Sequence, residues 1–560
     1  MKVSQMPYAR VDVDETCKKI DEFIHAFKNA ESAEEQLALD VEIGKLTEEV
    51  ETNMTLASIR FTQNTADKFY QAEKDYYDEK MPELEVKLRE LDKCYLESKF
   101  IDELKNRIPE SYFINARMAN ETIDNRIIDQ LTQENKLITE YTKIMSSVLV
   151  EFKGNKYTLS QMTSFNHSPD RKERKQACIA TGKAMNSVAG QLDEIYDKLV
   201  EVRTLIATKL GFKSFSEVAY RRLGRNCYDQ FDVAKFRDNV RKYVVPLICE
   251  IKQKVAADNG IRKLALYDND IYSSSDVKPI GDAEQIFANG RKMYGEMHPD
   301  TAKLFSAMEQ AEAFDLLSRE NKWGGGYCTG LPEYKIPFIM SNFNGSLGDV
   351  DVLTHEFGHA LESYYSYFVT PPSMRGSITM DTCEVHSMSM EFFAYKWMDL
   401  FFGDKKQDYI YNHVAGAICF IPYGTIVDFF QQTAYDYYNN GKKDRNRFWS
   451  DIEGEFLPYM SSKGLPYFNT GRRWQMKAHI FETPFYYIDY CVAQMTAFQF
   501  LALMQEDYDA AFEKYLQFLK IGGTKTFLET VEEVGLISPF EEEAFKKVTD
   551  TVRKILGLKN

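Results

Sequence analysis

Asp349-Val-Asp-Val-Leu-Thr-His-Glu-Phe-Gly-His-Ala-Leu-Glu-Ser-Tyr-Tyr365 is the stretch on which the reading of this chain turns. His355 and His359 stand four apart, and on a helix that spacing projects both imidazoles from one face. Zinc binds such neutral nitrogens and needs further ligands to fill its shell. Glu356, next to the first histidine, is placed to face an open coordination position and take a proton from water there. Without a metal the same pair is two helix histidines meeting solvent or a carboxylate, so the reading depends on a third ligand.

A further histidine after the pair, in the pattern with Gly at 362 and His at 365, is excluded, because Glu362 and Tyr365 occupy those positions. A glutamate from a following helix is the other solution. Asp381-Thr-Cys-Glu-Val-His-Ser-Met-Ser-Met-Glu-Phe-Phe-Ala-Tyr395 reads as that helix. Glu384, Ser387 and Glu391 recur along it as a polar stripe between Met, Phe and Val. Carboxylates in such company need a partner, which a metal or a metal-bound imidazole supplies. Glu384 is expected as the third ligand and Glu391 as the acceptor that orients a zinc-bound histidine. His386 points off that face and reads as a packed or surface residue. Glu362 shares the face of the two histidines, either as a carboxylate beside the ligands or as a solvated helix residue.

Outward from this centre the pattern is helical. Glu34–Arg60 and Ala66–Lys105 carry apolar residues at three-to-four spacing between charges, and the period resumes over Asp170–Phe212, Phe231–Asp258 and from Asp349 to the end. A hairpin is predicted at Val150–Leu159 with Gly154-Asn155 as its turn. Phe314–Trp323 reads as a strand and turn and Ile336–Asn344 is rich in strand formers, with the triplet Gly324-Gly325-Gly326 between them. That triplet lacks the Lys-Ser/Thr of a phosphate loop. The strand ending Phe338-Ile-Met-Ser-Asn-Phe-Asn344, as a sheet edge, would pair with an extended peptide. The expected fold is mainly α, one helical body with a small β-sheet beside the zinc helix. It divides approximately into a helical N-terminal lobe, 1–200, and a catalytic lobe, 201–560, within one continuous structural unit.

Composition narrows the class. The 560 residues are 44% hydrophobic and 28% charged, enough apolar surface for a large core, so a disordered chain is excluded. A net charge of −16 speaks against nucleic acid or an anionic membrane as partner. Met1–Glu15 shows no secretory pattern, and Val414–Phe430 is too short and too broken to span a bilayer. Nine scattered cysteines without a CxxC pair suit reduced thiols, so a cytoplasmic protein is expected.

The motif HEFGH followed by Glu384-x-x-Ser387-x-x-x-Glu391 resembles the thimet oligopeptidase/oligoendopeptidase F family of zinc peptidases. The similarity is greater to the bacterial oligoendopeptidase F and Pz-peptidase branch. It extends to Glu151–Gln161, to Tyr220-Arg-Arg-Leu-Gly-Arg225 and to His479-Ile-Phe-Glu-Thr-Pro-Phe-Tyr-Tyr-Ile-Asp-Tyr490. Many members carry a histidine where this chain has Glu362. The resemblance implies an ellipsoid of helices with a deep substrate channel and one zinc ion at its floor. It implies hydrolysis of short, unfolded peptides at internal bonds, with Glu356 activating a zinc-bound water.

For His479, Tyr486, Tyr487 and Tyr490 the resemblance implies hydrogen-bond donation to the oxyanion formed at the scissile carbonyl. Tyr487 and Tyr490 share a helix face, and the residues leave open which tyrosine donates. For Gly325, Gly326, Ser341, Asn342 and Phe343 it implies contact with substrate. Two rival functions stay in view. A carboxypeptidase or dipeptidyl carboxypeptidase needs a cation for the terminal carboxylate, and Arg375, Arg472, Arg473 and Lys477 lie near the motifs. An inactive peptide-binding relative would keep the site without turnover. Oligomeric state is not legible in the sequence.

Overall fold

The computed structural model describes residues 1–123, 125–275, 277–369, 378–436 and 444–558. Most of them are helical, with five short strands among the described residues: β1 (Leu149–Phe152), β2 (Asn155–Thr158), β3 (Phe314–Leu317), β4 (Tyr327–Leu331) and β5 (Ile336–Phe343). This is the mainly α fold with a small sheet that the hydrophobic periods imply. By packing the chain forms two units. The first comprises 1–120, 277–406 and 496–536; the second comprises 121–276, 407–495 and 537–560. Position 200, the boundary expected from the sequence, lies inside the helix Arg171–Leu210 of the second unit.

The first unit opens with three packed helices, Val13–Asn29, Ala33–Gln63 and Lys68–Leu96. Each starts at a residue suited to cap it: the side chains of Asp12, Ser32 and Asp67 accept backbone N–H groups of the first turn. Ile20, Phe27, Ile43, Leu84, Leu91 and Tyr95 form the core between them. The second of these helices reaches the sheet, where Thr62 Oγ1 lies 2.6 Å from the Tyr327 hydroxyl.

The sheet has the order β3-β5-β4. β3 runs parallel to β5, with Phe314 opposite Ile339, and β4 runs antiparallel to it, from Tyr327 opposite Met340 to Leu331 opposite Ile336. Two expectations change here. β5 is the central strand rather than an edge, since both neighbours are occupied over Ile339–Met340. The edge beside the glycine triplet is β4, a strand whose Gly330 and short length hid it from the sequence pattern.

On this sheet lies the histidine helix, Gly348–Val369, packed also against the glutamate helix, Met380–Phe393, and against Tyr508–Ile521.

The second unit centres on the 40-residue helix Arg171–Leu210, against which Ile128–Ser147 and β1 pack. The β1–β2 turn is Lys153-Gly154, both at positive φ, one residue earlier than expected. Lys406–Asp436 enters this unit at Gln407, and the tyrosine helix, Tyr487–Met504, contributes its first half. Buried ion pairs Arg203–Glu134 (2.6 Å), Arg225–Asp489 (2.7 Å) and Arg237–Asp428 (3.2 Å) tie these helices together. All nine cysteines are free thiols.

Candidate active site

The histidine helix begins where β5 ends, and Asp349 fixes the junction. Its carboxylate accepts the backbone N–H groups of Asn344 (3.0 Å) and Gly345 (2.7 Å). Val350, Leu353, Phe357 and Leu361 are fully buried on the core side, Phe357 stacking on Tyr294 at 3.7 Å. With that face committed to the core, His355 and His359 emerge together elsewhere, ring centroids 5.0 Å apart. The glutamate helix approaches closely because position 358 is glycine. A Cβ there would lie 2.6 Å from the His386 carbonyl oxygen and 2.7 Å from Ser387 Cα.

This crossing brings Glu384 to the histidines. Its Oε2 lies 3.5 Å from His355 Nε2 and 3.9 Å from His359 Nε2, and Ser387 Oγ donates to the same oxygen at 3.1 Å. His355 Nδ1 lies 2.6 Å from Glu391 Oε1. A proton on Nδ1 serves that bond and leaves Nε2 with its lone pair toward Glu384.

His355 Nε2, His359 Nε2 and Glu384 Oε2 thus converge, a set of two imidazoles and a carboxylate that could hold a cation. The candidate ligand atoms all lie within 4.8 Å of one another. A tetrahedral zinc with bonds of about 2.0–2.2 Å separates its ligands by about 3.4 Å, so this donor set fits the ion. In the metal-free protein burial opposes a charge on His355, but its hydrogen bonds to Glu384 and Glu391 outweigh that and raise its pKa. Burial brings His359 down to about 4. Glu356, 8% exposed, is pushed up to about 7, chiefly by burial, while the backbone N–H of Cys328 on β4 donates to it.

A second cluster forms where the short helix Ala478–Glu482 turns into the tyrosine helix. The ring of His479 lies 4.9 Å from that of Tyr487, 5.9 Å from Tyr486 and 6.1 Å from Tyr490. The turn between them is strained, with Phe485 at φ +69°. It is clamped from two other segments: Arg225 donates to the Phe485 carbonyl and Gln431 Oε1 accepts its N–H at 3.0 Å. Gly424 of the helix Lys406–Asp436 makes room for the tyrosine helix, since a Cβ would lie 2.2 Å from Cys491 Sγ. Burial and the charge of Lys477 bring His479 down to about 4, so its ring is neutral at pH 7 and one nitrogen carries a hydrogen.

Residues 3–123 match the Peptidase M3 N-terminal domain, and residues 296–549 match Peptidase family M3. A solved structure of Pz peptidase A with an inhibitor superposes on the chain with a TM-score of 0.93 at 39% identity, covering 99% of both chains. The chain belongs to peptidase family M3. A Bacillus anthracis strain Ames protein assigned to oligoendopeptidase F gives a TM-score of 0.88 at 36% identity over 100% of this chain and 98% of that one. Oligopeptidase PepF of Bacillus subtilis strain 168 is 21% identical over 425 residues, 71% of this chain and 60% of that relative's length.

In this M3 peptidase chain the remaining sequence candidates fall into place unevenly. Glu362 is 7% exposed and is pushed up to about 8 by burial, so the solvated reading fails. His386 is packed, its ring edge toward Phe518. Asn342 donates its amide to the carbonyls of Trp323 and Gly325, both at 2.8 Å, which pins the glycine triplet to β5. Gly326 lies against the Met340 carbonyl, and the side chains of Ser341 and Phe343 are buried.

Two groups escaped the sequence reading. The Cys328 N–H is a backbone donor and carries no residue signature. Lys322 is a buried lysine whose Nζ donates to the carbonyls of Asp315, Leu317 and Ser341 and to Asp315 Oδ1; only the fold reveals it.

Proposed function

We propose that the chain is a zinc-dependent endopeptidase that hydrolyses short oligopeptides in the cytosol. The observation that carries this reading is the convergence of His355, His359 and Glu384 beside the buried carboxylate of Glu356, in a member of a peptidase family. Zinc held by those three side chains supplies Lewis acidity, which acidifies water and polarises a carbonyl oxygen.

The chain's own residues do the rest. Glu356 takes a proton from the attacking water and returns it to the leaving amine as the C–N bond breaks. Glu391 holds the Nδ1–H of His355, so that Nε2 keeps its lone pair for the metal. His479 and the tyrosines Tyr486, Tyr487 and Tyr490 are the donors we assign to the oxyanion, on the strength of the family resemblance and the packing of the four rings. Gly325, Gly326, Ser341, Asn342 and Phe343 are assigned to the peptide-binding side.

One observation favours the carboxypeptidase alternative. Arg472 pairs with Asp193 at 3.3 Å and Arg473 with Glu453 at 3.0 Å, whereas Lys477 has no carboxylate partner among the described residues. Arg375 lies outside them. The test is cleavage of short peptides, free and C-terminally amidated, by metal-replete protein with and without a chelator. Internal cuts in amidated peptides, lost with chelator and restored by zinc, are expected. Cuts that require a free C-terminus favour the carboxypeptidase, and tight peptide binding without any cut favours an inactive relative.

A further inference from the structure

Lys477 is a cation that the mechanism above does not use. It lies in the segment between Arg473 and His479, and its Nζ is 3.0 Å from the Tyr487 hydroxyl. The same Nζ stands 4.4 Å from the ring centroid of Tyr487 and 5.4 Å from that of Tyr423. Arg473 lies over the other part of this aromatic wall, 4.8 Å from the Tyr423 centroid, with its charge answered by Glu453. Lys477 has no such answer among the described residues; the phenol oxygen of Tyr487 is its hydrogen-bond partner. Burial and the neighbouring charge of Arg473 bring it down to about 8, which leaves it protonated at neutral pH.

The chemistry of this pair has a direction. An ammonium group carries three N–H donors and no lone pair. The Tyr487 oxygen therefore accepts from Lys477, and the phenol's own hydrogen has to point elsewhere. The ring is held while this happens: it is buried, packed against Phe420 at 5.5 Å, Tyr423 at 6.0 Å and His479 at 4.9 Å. A phenol that receives a charge-assisted hydrogen bond is also a stronger donor through its remaining hydrogen. Tyr487 thus has its donor role imposed by a neighbour.

We propose that Lys477 is a positioning residue: by donating to the Tyr487 oxygen it fixes that phenol as a hydrogen-bond donor for the oxyanion of the peptide under hydrolysis. The inference rests on the peptidase reading and on the assignment of the tyrosine cluster to that oxyanion. It singles out Tyr487 within the cluster and gives Lys477 a task that acts only through one hydroxyl group.

A double-mutant cycle tests it. Lys477→Met keeps the stem and removes the donors, and Tyr487→Phe removes only the hydroxyl. Each single change is expected to lower kcat by about tenfold or more with little change in KM, as loss of an oxyanion donor does. In the Tyr487→Phe background, Lys477→Met should cost nothing further, and Lys477→Arg in the parent should recover part of the loss.

Calorimetry with a phosphinic peptide, whose tetrahedral oxygens resemble the reacting centre, supplies a readout without turnover. Its affinity should fall in parallel with kcat in Lys477→Met, while an ordinary peptide bound to Glu356→Gln should be held equally with and without Lys477. Additive losses in the cycle overturn the proposal, because Lys477 would then act independently of that hydroxyl. A loss confined to peptides with a free carboxylate also overturns it, making Lys477 a ligand for that group. Full turnover by Tyr487→Phe removes Tyr487 from the machinery, and the proposal with it, while the peptidase reading stands. A parent protein that cleaves nothing defeats the peptidase reading itself, and the phosphinic arm then decides about Lys477 alone: unchanged affinity in Lys477→Met overturns it.

Discussion

His355 Nδ1 and Glu391 Oε1 lie 2.6 Å apart, and through this contact a carboxylate on one helix sets which nitrogen a histidine on another would present to a metal. The glutamate helix thus serves the candidate site twice, with Glu384 among the candidate ligand atoms and Glu391 behind His355. Replacing Glu391 by Gln keeps the shape but lets the amide meet Nδ1 from either of two orientations. Zinc affinity should fall about 10- to 100-fold, the usual cost of losing such a partner. Competition with a chromophoric chelator measures it, and an unchanged affinity would show that Glu391 does not orient His355.

Glu356 is buried on the histidine helix and is absent from the group of ligand atoms. Glu356→Gln should therefore reduce kcat by about 10²–10⁴-fold or more while the protein still binds one zinc. Metal analysis of the purified variant checks the second half. Loss of zinc would mean that the carboxylate holds the ion, contrary to the proton-transfer role.

The helical part of the molecule was legible because its period is written in every turn, and the convergence of His355, His359 and Glu384, with Glu391 behind His355, because these residues share two helix faces that meet. Strand order was not. β5 reads as a good strand from its residues, but nothing in Ile336–Phe343 says that β3 and β4 flank it on both sides. β4 itself follows three glycines and contains a fourth, so its pattern resembles a loop. The fate of Glu362 was equally hidden: its own helix places it beside the histidines, whereas its burial depends on segments distant in sequence. Lys477 was visible as a nearby cation, but its lack of a carboxylate is a property of the fold alone.

Position 358 sets two effects against each other. Gly358→Ala gains about 1 kcal/mol of helix propensity, but the new methyl meets backbone atoms of His386 and Ser387 at 2.6–2.7 Å. Backbone cannot rotate out of the way as a side chain can, and overpacking of this kind costs about 1–3 kcal/mol. The variant should be less stable to urea, and its zinc affinity should fall as Glu384 is pushed from the histidines. Wild-type affinity would show that the crossing tolerates the extra volume.

His479 offers a test by pH. Its folded pKa of about 4 lies below the ordinary imidazole value of 6.5, because burial and Lys477 disfavour its charge. Between pH 6.5 and 4 the unfolded chain therefore binds a proton that the folded chain refuses, and stability drains away as pH falls through that window. Above pH 6.5 the effect is absent. With partial solvent screening allowed for, its size at pH 5 is on the order of 1–2 kcal/mol. Urea unfolding at pH 7 and pH 5 should show His479→Gln losing less stability on acidification than the parent protein. Equal losses would place the imidazole in water-like surroundings.

The first unit is assembled from three stretches of chain, and the last of them, 496–536, supplies the helix Tyr508–Ile521 that packs on the histidine helix. During synthesis the N-terminal helices leave the ribosome first, but the scaffold of the candidate metal site is incomplete until the helix Tyr508–Ile521 has been made. Domains ordinarily fold as they emerge. Here the nascent chain must hold an unfinished unit open for several hundred residues, so premature termination before residue 508 yields a product without the helix that packs on the histidine helix.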